Sequence, residues 1–444
     1  MPAAPADNAL YRGLFHDEDT ARLFTETAEV RAMLLVEGAL AKVQGALGII
    51  PAESATFLHR ACMEVHIDPS SLAAETGANG VPVPALVAAF RKASNAPEHA
   101  QFLHWGATSQ DIMDSALALR LKPVLDLWEA RLTELLHALA TLAQTHAALP
   151  MAARTYGQIA TPTSFGAVVA AWGWPLLAYR DQMAAQREAL LQVSLSGAAG
   201  TLSAMGEQGP AVRAGLAAAL GLRDPGHSWH TDRSGVTGFA AWMTGLMGCL
   251  GKIGEDLILL VQSGLAEVHI DGGGASSTMP QKQNPVGPSV LVALARHSIG
   301  LGANLQGAAL HRQQRDGAAW FTEWLTLPQL CINAGRGLAT AIDIVARLKP
   351  DASAMAAAKD DVGGLIHAEV LTFILAKTLP RPQAQAAIKD LCQQARAKSV
   401  QLEQLFAQAY PSIDLSTALT GGAALGQAPT DARAFAAHVD GGLA

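Results

Sequence analysis

Residues 239–264 read FAAWMTGLMGCLGKIGEDLILLVQSG. Large apolar side chains recur there every three or four positions, at Phe239, Met243, Leu246, Leu250, Ile253, Leu257 and Leu260. Because an α-helix has about 3.6 residues per turn, this spacing places all of them on one face. The pattern continues for longer than a surface helix of a single domain needs, so we predict a long helix that packs against other helices.

The same spacing occurs in residues 125–146, where we expect Asp114 to cap the helix from upstream. Residues 286–313 are rich in Ala, Leu and Gly, and residues 163–194 are also helix-like, with Pro175 expected to kink or interrupt them. The alternation of apolar and polar residues that is typical of strands is scarce. We therefore predict an all-α fold with a central bundle of long helices.

Breaks in these patterns predict three domains along the chain. Residues 1–112 form shorter helices, residues 113–350 form the long-helix bundle, and residues 351–444 form further short helices. The length of 444 residues fits this division, since a domain usually has about 150 residues.

The composition favours a protein that buries much of its surface. Hydrophobic residues make up 50% of the chain and charged residues 16%, against about 25% charged in an ordinary soluble domain. This excludes intrinsic disorder and leaves too few charges to cover a large monomer, so we expect a homo-oligomer. The net charge of −7 and the lack of a basic cluster argue against binding of nucleic acid.

A membrane location is not expected. The uncharged residues 155–179 are long enough to span a bilayer, but they include Gln158, Thr161 and two prolines, so we interpret them as a buried helix with a polar start. The first residues lack the basic and apolar regions of a secretory signal. The four cysteines are scattered and form no CxxC pair, which indicates reduced thiols and a cytoplasmic protein.

Residues 271–285, DGGGASSTMPQKQNP, are the most informative stretch for chemistry. They follow the longest helical pattern, and their three glycines allow mobility and close approach of the backbone, so we predict a loop. Ser276 and Ser277 supply hydroxyls, Lys282 a positive charge and Asn284 an amide. This composition fits a mobile lid over an active site, and it fits an ordinary connector as well.

The run SSTMPQKQNP at residues 276–285 resembles the signature loop of the fumarase/aspartase superfamily, Gly-Ser-Ser-x-Met-Pro-x-Lys-x-Asn-Pro, with Ala275 in place of its glycine. Two further stretches resemble motifs of the superfamily in the same order, namely HWGATSQD at residues 104–111 and RTYGQ at residues 154–158 with PTSFG at residues 162–166. The resemblance implies a three-domain homotetramer around long helices. Each active site would be built from three subunits, one for each motif.

Within the superfamily, the chain resembles the 3-carboxy-cis,cis-muconate cycloisomerases. Residues 77–84, GANGVPVP, lack the histidine that adenylosuccinate lyases carry before the first motif. Residues 229–233, WHTDR, and Arg315 followed by Trp320, Glu323 and Trp324 resemble elements of the cycloisomerases. Tyr156 stands where the lyases of the superfamily usually have a histidine.

Tyr156 also has a physical interpretation. A lyase that expels an amine or hydroxide benefits from a histidine that protonates the leaving group. In the cycloisomerase reaction the group that adds to carbon is a carboxylate with a pKa of about 4, which needs no such acid. The resemblance thus implies closure of 3-carboxy-cis,cis-muconate to a carboxymuconolactone during degradation of aromatic compounds. A nitrosuccinate-type lyase, which also has a good leaving group, fits Tyr156 equally well.

The resemblance also implies roles for individual residues. Ser276 would transfer the proton at carbon, assisted by Lys282 and Asn284, with Tyr156 and His230 as further catalytic candidates. Contacts with the substrate are expected from His104, Thr108, Ser109, Gln110, Thr155, Gln158, Ser277, Met279 and Arg315. His104 and His230 could instead be structural, and Thr108 and Ser109 could simply cap the following helix.

No cofactor or metal is expected, because His227 and His230 supply only two ligands and no third is in view. The expected partner is a small polycarboxylate. Alternative enzymes are elimination lyases that act on succinyl substrates of the nitrosuccinate, adenylosuccinate or argininosuccinate type. A catalytically silent structural homologue is a further alternative, against which the intact Ser276, Lys282 and Asn284 argue.

Overall fold

The computed structural model describes residues 4–272, 274–275, 279, 282–360, 363–415, 419 and 424–442. The chain forms two compact units, each assembled from three stretches of sequence. Unit 1 comprises Met1–Arg131, Tyr179–Gly248 and Ala293–Ala339, and unit 2 comprises Leu132–Ala178, Cys249–Val292 and Thr340–Ala444. The division into three domains along the sequence stays a prediction.

Most of the described residues are helical. The first helices are α1 (Arg12–Phe15), α2 (Glu18–Ala21), α3 (Glu26–Ala46), α4 (Ala52–Glu64), α5 (Ala73–Asn79), α6 (Val83–Ser94), α7 (Pro97–Ala100) and α8 (Ser109–Thr145). Next come α9 (Phe165–Asp181), α10 (Met183–Leu190), α11 (Gly209–Leu220), α12 (Ser234–Leu260), α13 (Val286–Gly307) and α14 (Gly317–Arg347). The last are α15 (Ala352–Asp360), α16 (Ala368–Leu375), α17 (Arg381–Lys398), α18 (Leu402–Ala409) and α19 (Ala428–Gly442). Short 3₁₀-helices span Pro5–Asp7, Arg22–Phe24, Pro69–Leu72, Ser203–Gln208 and Leu365–His367.

The predicted long helices are present, which confirms the all-α fold. Helix α8 includes residues 125–145, α12 ends with the apolar series at Leu260, and α13 is shorter than the predicted span of 286–313. Most residues of the two apolar series are buried within this one chain: Leu125, Trp128, Leu132, Leu135, Leu139, Phe239, Met243, Leu246, Leu250, Ile253, Leu257 and Leu260. Leu142 and His146, at the end of the first series, are half-buried. The buried members therefore need no second copy of the chain to cover them.

The expectation that Asp114 caps a helix is wrong. Helix α8 begins at Ser109, so Asp114 lies inside it. Its carboxylate is buried and accepts a hydrogen bond from Nη1 of Arg233 at 2.8 Å. The fold therefore uses this carboxylate as the partner of a buried cation, because a charge-assisted pair is stronger than a hydrogen bond to a neutral backbone amide.

Among the described residues, two-stranded antiparallel sheets occur only in unit 2. They pair β1 (Pro150–Thr155) with β2 (Gln158–Ser164), β3 (Val268–Ile270) with β6 (Leu348–Pro350), and β4 (Gly274–Ala275) with β5 (Gln283–Asn284). The expected helical start at residue 163 is wrong, because residues 158–164 form strand β2 and α9 begins at Phe165. Pro175 lies inside α9, which continues to Asp181. The strands β1 and β2 are short and half-exposed, so they leave no long alternating pattern in the sequence.

Unit 1 contains an apolar core that positions the first motif. Its fully or nearly fully buried members include Val36, Leu40, Leu58, Leu86, Phe90 and Ile112. Each side chain of this kind contributes about 1.5–3 kcal/mol when it is buried. Helices α3 and α4 pack closely in this core, since a Cβ on Gly38 would lie 2.8 Å from the Cβ of Cys62. Helix α3 is thereby held rigidly by its apolar face.

By length and composition, one described helix could cross a membrane, namely α13. Of its most apolar window, 50% is buried inside the structure. The residues 155–179 that we considered from the sequence form no single helix, because β2 and α9 divide them.

Candidate active site

The first motif is organised around the carboxylate of Asp111, which lies in the first turn of α8 and is fully buried. Its Oδ1 accepts a hydrogen bond from the backbone N of Ser196 at 2.8 Å and lies 2.8 Å from Nε2 of His230. Its Oδ2 accepts hydrogen bonds from the backbone N of Thr108 at 3.0 Å and of Gly197 at 2.9 Å. Since a buried charge is costly without such donors, Asp111 holds the motif, His230 and the loop around Ser196 in one arrangement.

Gln110 is also fully buried and links three segments of unit 1. Its Nε2 donates hydrogen bonds to the carbonyl oxygen of His230 at 2.9 Å and to Oδ2 of Asp114 at 3.1 Å. Its Oε1 accepts a hydrogen bond from Nε of Arg315 at 2.8 Å. The structure thus brings together three predicted site residues, Gln110, His230 and Arg315. The Nη2 atom of Arg315 is buried and has no hydrogen-bond partner among the described residues.

Arg233 joins this network to α14. Its guanidinium donates to both carboxylate oxygens of Asp114 and of Glu323 at 2.6–3.2 Å and lies 4.8 Å from the Trp229 ring centre. Burial alone would lower the pKa of Arg233, but the two carboxylates raise it. Burial raises the pKa of Glu323 although Arg233 acts in the opposite direction. Arg233, Asp114 and Glu323 therefore form a buried ion cluster, and Arg233 follows His230 by three positions in the WHTDR element.

His104 has a left-handed backbone with a φ of +66°. Its Nδ1 lies 2.6 Å from Oε1 of Glu37, a buried carboxylate on α3. Burial would lower the pKa of His104, but the charge and the hydrogen bond of Glu37 raise it. The His104 side chain keeps 22% of its surface exposed, so one part of the ring is held by Glu37 and another part is accessible from outside the chain.

Thr108 and Ser109 stand at the start of α8 and are half-buried. The hydrogen bond from the backbone N of Thr108 to Oδ2 of Asp111, three residues on, is one half of a capping box. The carboxylate of Asp111 therefore caps this helix.

The second motif is a two-residue β-hairpin in unit 2. Thr155 pairs with Gln158, and the turn residues Tyr156 and Gly157 have φ values of +53° and +72°. Positive φ at both turn positions is the requirement of a type I′ turn. The side chains of Thr155, Tyr156 and Gln158 are exposed, and that of Tyr156 is exposed completely. The hairpin tip, residues 155–158, is therefore a surface feature of the chain.

Arg154 anchors the base of this tip. Its two Nη atoms donate to the two carboxylate oxygens of Glu267 at 2.7 and 3.1 Å, and Glu267 is fully buried. Such a bidentate pair fixes both the position and the orientation of the strand. The tip thus stands on a rigid base although its own side chains are exposed.

The described part of the signature loop also lies in unit 2. Met279, Lys282 and Asn284 are exposed, and the backbone N of Lys282 donates to the carbonyl oxygen of Met279 at 3.0 Å. Asn284 pairs with Gly274 in the sheet β4–β5. Ser276 and Ser277 lie outside the described residues.

Some residues of the site were not predicted from the sequence. Glu37 is far from the motifs along the chain, and Asp114 and Glu323 gave no sign of their common partner Arg233. A signal existed for Glu37, because it interrupts an apolar face of α3, and buried carboxylates are rare without a partner. Asp111 belonged to the quoted first motif, but nothing in the sequence showed that it would bind His230.

The region from the N-terminal helices to α13 matches a protein-family model described as lyase, over residues 8–300. The chain belongs to this lyase family.

Relatives of known activity match almost the whole of this lyase-family chain. The 3-carboxy-cis,cis-muconate cycloisomerase of Pseudomonas aeruginosa is 36% identical over 400 residues, which cover 89% of this chain and 87% of the relative. The nitrosuccinate lyase of Streptomyces davaonensis is 32% identical over 420 residues, which cover 92% and 88%. The solved structure of 3-carboxy-cis,cis-muconate lactonizing enzyme from Pseudomonas putida has a TM-score of 0.92 at 32% identity and covers 98% of this chain and 100% of its own. The chain is therefore an enzyme of the fumarase/aspartase superfamily, as its motifs predicted.

Within the described ranges, no group of three or more His, Cys, Asp and Glu side chains of this lyase-family chain is arranged to hold a metal ion. His227 is exposed, whereas His230 is buried and contacts Asp111.

Proposed function

We propose that this enzyme closes 3-carboxy-cis,cis-muconate to a carboxymuconolactone. The observation that carries the proposal is the second-motif hairpin, which holds Tyr156 at its tip, while the buried carboxylate at its base, Glu267, is paired with Arg154. This hairpin offers no imidazole to protonate a poor leaving group, so it suits a reaction whose adding or leaving group is a carboxylate. Similarity to cycloisomerases over most of both chains supports the same reaction.

In the proposed reaction, an oxygen of one substrate carboxylate forms a bond to an alkene carbon. The π electrons of that alkene move to the carbon next to another carboxylate, which becomes enediolate-like, and this carbon then takes up a proton. We assign the donation of this proton to Ser276, as the resemblance to the superfamily implies. The charge of Lys282 and the amide of Asn284 would stabilise the developing anion, and such electrostatic stabilisation is usually the largest catalytic contribution.

The first motif and Arg315 would bind carboxylates of the substrate. Thr108 and Ser109 stand at the N-terminus of the long helix α8, where backbone N–H groups and the helix dipole favour an anion. Gln110 holds Arg315 through Nε, which leaves Nη2 without a partner among the described residues. A guanidinium with such a donor remaining is suited to clamp a carboxylate.

His230 is better suited to orient the site than to move the proton. Its Nε2 contacts Asp111, and only 3% of the residue is exposed. We therefore propose that it positions the first motif. The remaining substrate contacts that we propose, on the resemblance, come from His104, Thr155, Tyr156, Gln158, Ser277 and Met279.

We further propose that the active enzyme is a cytoplasmic homotetramer, without a cofactor, in which each site combines motifs from three copies. Support comes from the hairpin tip, since Tyr156 is completely exposed in a single chain. Lys282 and Asn284 are exposed as well. Electrostatic catalysis needs a site from which water is excluded, and packing of another copy against these residues would provide it.

A second candidate is elimination from a nitrosuccinate-type substrate. The observation that favours it is the 32% identity to nitrosuccinate lyase over 92% of this chain. Nitrite, like a carboxylate, leaves as a stable anion, so Tyr156 is compatible with both reactions.

The decisive experiment follows the conjugated-diene absorbance of 3-carboxy-cis,cis-muconate after addition of the purified protein. We expect a fast decay that depends on enzyme concentration and a lactone product identified by mass spectrometry and NMR. The same preparation is offered nitrosuccinate, with fumarate formation as the readout. Turnover of nitrosuccinate alone would replace the first proposal by the second, and turnover of neither would contradict both.

A further inference from the structure

Helix α3 carries two polar side chains in its buried part. Glu37 and Gln44 are 1% and 0% exposed, and the residues around them on this helix, such as Val36, Leu40 and Ala41, belong to the apolar core. Because they are seven positions apart, both side chains lie on the same face of the helix. A buried polar group that has no partner costs about 1–3 kcal/mol, so each of these side chains needs a hydrogen-bond partner.

Both side chains bond to the same turn, at the start of the first motif. Oε1 of Glu37 lies 2.6 Å from Nδ1 of His104, and Nε2 of Gln44 donates to the carbonyl oxygen of Trp105 at 2.7 Å. His104 has a φ of +66°, a conformation that a residue other than glycine adopts only when its surroundings impose it. Helix α3 therefore holds the ring of His104 and the backbone of the next residue, Trp105.

The hydrogen bonding of Glu37 is one-sided. The Oε2 atom of Glu37 is buried and has no hydrogen-bond partner among the described residues. The contact of Glu37 with His104 is made through Oε1. When Glu37 is ionised it can only accept hydrogen bonds, and Nδ1 of His104 is then the donor. A buried anion is stable when its partner carries the opposite charge, and a protonated His104 meets that condition.

We propose that Glu37 is a positioning residue that holds His104 as a positively charged imidazolium, whose accessible edge binds a carboxylate of the substrate. The identity of the ligand rests on the proposed function above, whereas the charge of His104 does not. The exposed 22% of the side chain is the surface available for that contact, since Nδ1 is engaged with Glu37.

The groups around His104 support this charge state. Burial and the nearby Arg91 on α6 lower its pKa, while Glu37 on α3 and Asp111 on α8 raise it, and the net effect is a raised pKa. Asp111 already receives hydrogen bonds from other groups, and Arg91 donates to the carbonyl oxygen of Ala100. Glu37 is therefore the group whose removal changes the charge of His104 most.

The test compares Glu37→Gln, which removes the charge and keeps the shape, with Glu37→Asp, which keeps the charge. Glu64→Gln is the matched control, since Glu64 is an exposed carboxylate in the same unit. Exchange of the imidazole C2 hydrogen for deuterium, read by tandem mass spectrometry of peptides from the full chain, measures the pKa of His104 directly. The same variants are assayed for kcat/KM against pH and for binding of tricarballylate by calorimetry.

In Glu37→Gln we expect a lower pKa of His104 and a parallel shift of the alkaline limb of kcat/KM to lower pH. The sign follows because removing the anion favours the neutral ring, so the positive form is lost earlier as pH rises. At a pH between the limb of Glu37→Gln and that of the wild type, kcat/KM and tricarballylate binding should each be about 10- to 100-fold lower in the variant, the effect of one charge-assisted hydrogen bond. Glu37→Asp should recover most of this loss.

An unchanged pKa of His104 in Glu37→Gln would overturn the proposal, and so would a lowered pKa that moves neither the pH profile nor tricarballylate binding. If Glu37→Gln does not fold, the wild-type protein still decides, because a pKa of His104 at or below that of an ordinary histidine contradicts the proposal. If the wild type does not turn over 3-carboxy-cis,cis-muconate, the proposed function fails, while the exchange and tricarballylate measurements continue to test Glu37.

Discussion

The two described parts of the candidate site are held in opposite ways. In unit 1, Gln110 and Asp111 are buried and each is hydrogen-bonded to the buried His230. Gln110 also bonds to Asp114, which pairs with Arg233. We refer to this cluster as the Asp111 network. In unit 2, the hairpin tip of residues 155–158 exposes its side chains, and its base alone is anchored.

This difference separates residues whose positions are fixed by contacts within a single chain from residues that a single chain leaves exposed to solvent. The charges of the Asp111 network find their partners within one unit, so their exact positions belong to the folded chain. Tyr156 has no such support, and it occupies a left-handed position that Asn or Gly would adopt with less strain. A strained, fully exposed aromatic side chain at a hairpin tip points to contact with a ligand or with another copy of the chain.

The largest effect is expected from a residue of the signature loop. Ser276→Ala should lower kcat by about 1,000-fold or more, because it removes the proposed proton donor, while native mass spectrometry should give the same number of subunits as for the wild type, four in the proposed tetramer. Ser289→Ala is the control, since Ser289 is an exposed serine on α13. Near-normal turnover of Ser276→Ala would exclude this serine from the mechanism.

The next effect concerns the Asp111 network. Asp111→Asn should reduce the free energy of unfolding by about 3 kcal/mol, because His230 and the bonded amides lose a buried anion. Asp126→Asn, which removes an exposed carboxylate paired with Arg187, should cost at most about 1 kcal/mol. Urea denaturation at one fixed protein concentration measures both. Equal losses in the two variants would show that the network is not the stabilising region.

The hairpin tip should respond in the reverse manner. Tyr156→Ala should lower kcat/KM about tenfold or more, yet shift the urea midpoint less than Asp111→Asn does, since the side chain is exposed in a single chain. Subunits of Tyr156→Ala and Ser276→Ala, unfolded and refolded together, should show more activity than either variant alone, because mixed sites would contain both wild-type residues. Absence of any recovery would contradict sites that are shared between copies.

The smallest effect is expected from chelation. Incubation with EDTA should leave kcat/KM unchanged, because the proposed chemistry uses Ser276, Lys282 and substrate carboxylates. The described residues also contain no group of three or more His, Cys, Asp and Glu side chains that could hold a metal ion. Loss of activity that added metal restores would require a metal in the mechanism.

Local sequence patterns predicted the elements that depend on neighbours along the chain. The spacing of Phe239, Met243 and Leu246 required a helix with one buried face, and α12 has it. The turn at Tyr156 and Gly157 was not recognised as a hairpin, although glycine at its second position favours a type I′ turn. Asp114 was misassigned because an aspartate can either cap a helix or pair with a buried cation, and the sequence does not distinguish the two roles.

The sequence by itself determined the all-α class, the long helices and membership of a lyase family, since helical periodicity and contiguous motifs are properties of neighbouring residues. It also contained the substitution of Tyr156 for histidine, on which the proposed chemistry depends. Only the tertiary structure decided that Asp111 binds His230, that Arg233 joins Asp114 to Glu323, and that Glu37 holds His104. These pairs are formed by residues far apart along the chain, and a contact at 2.6–2.8 Å depends on how whole helices pack, which no local pattern encodes.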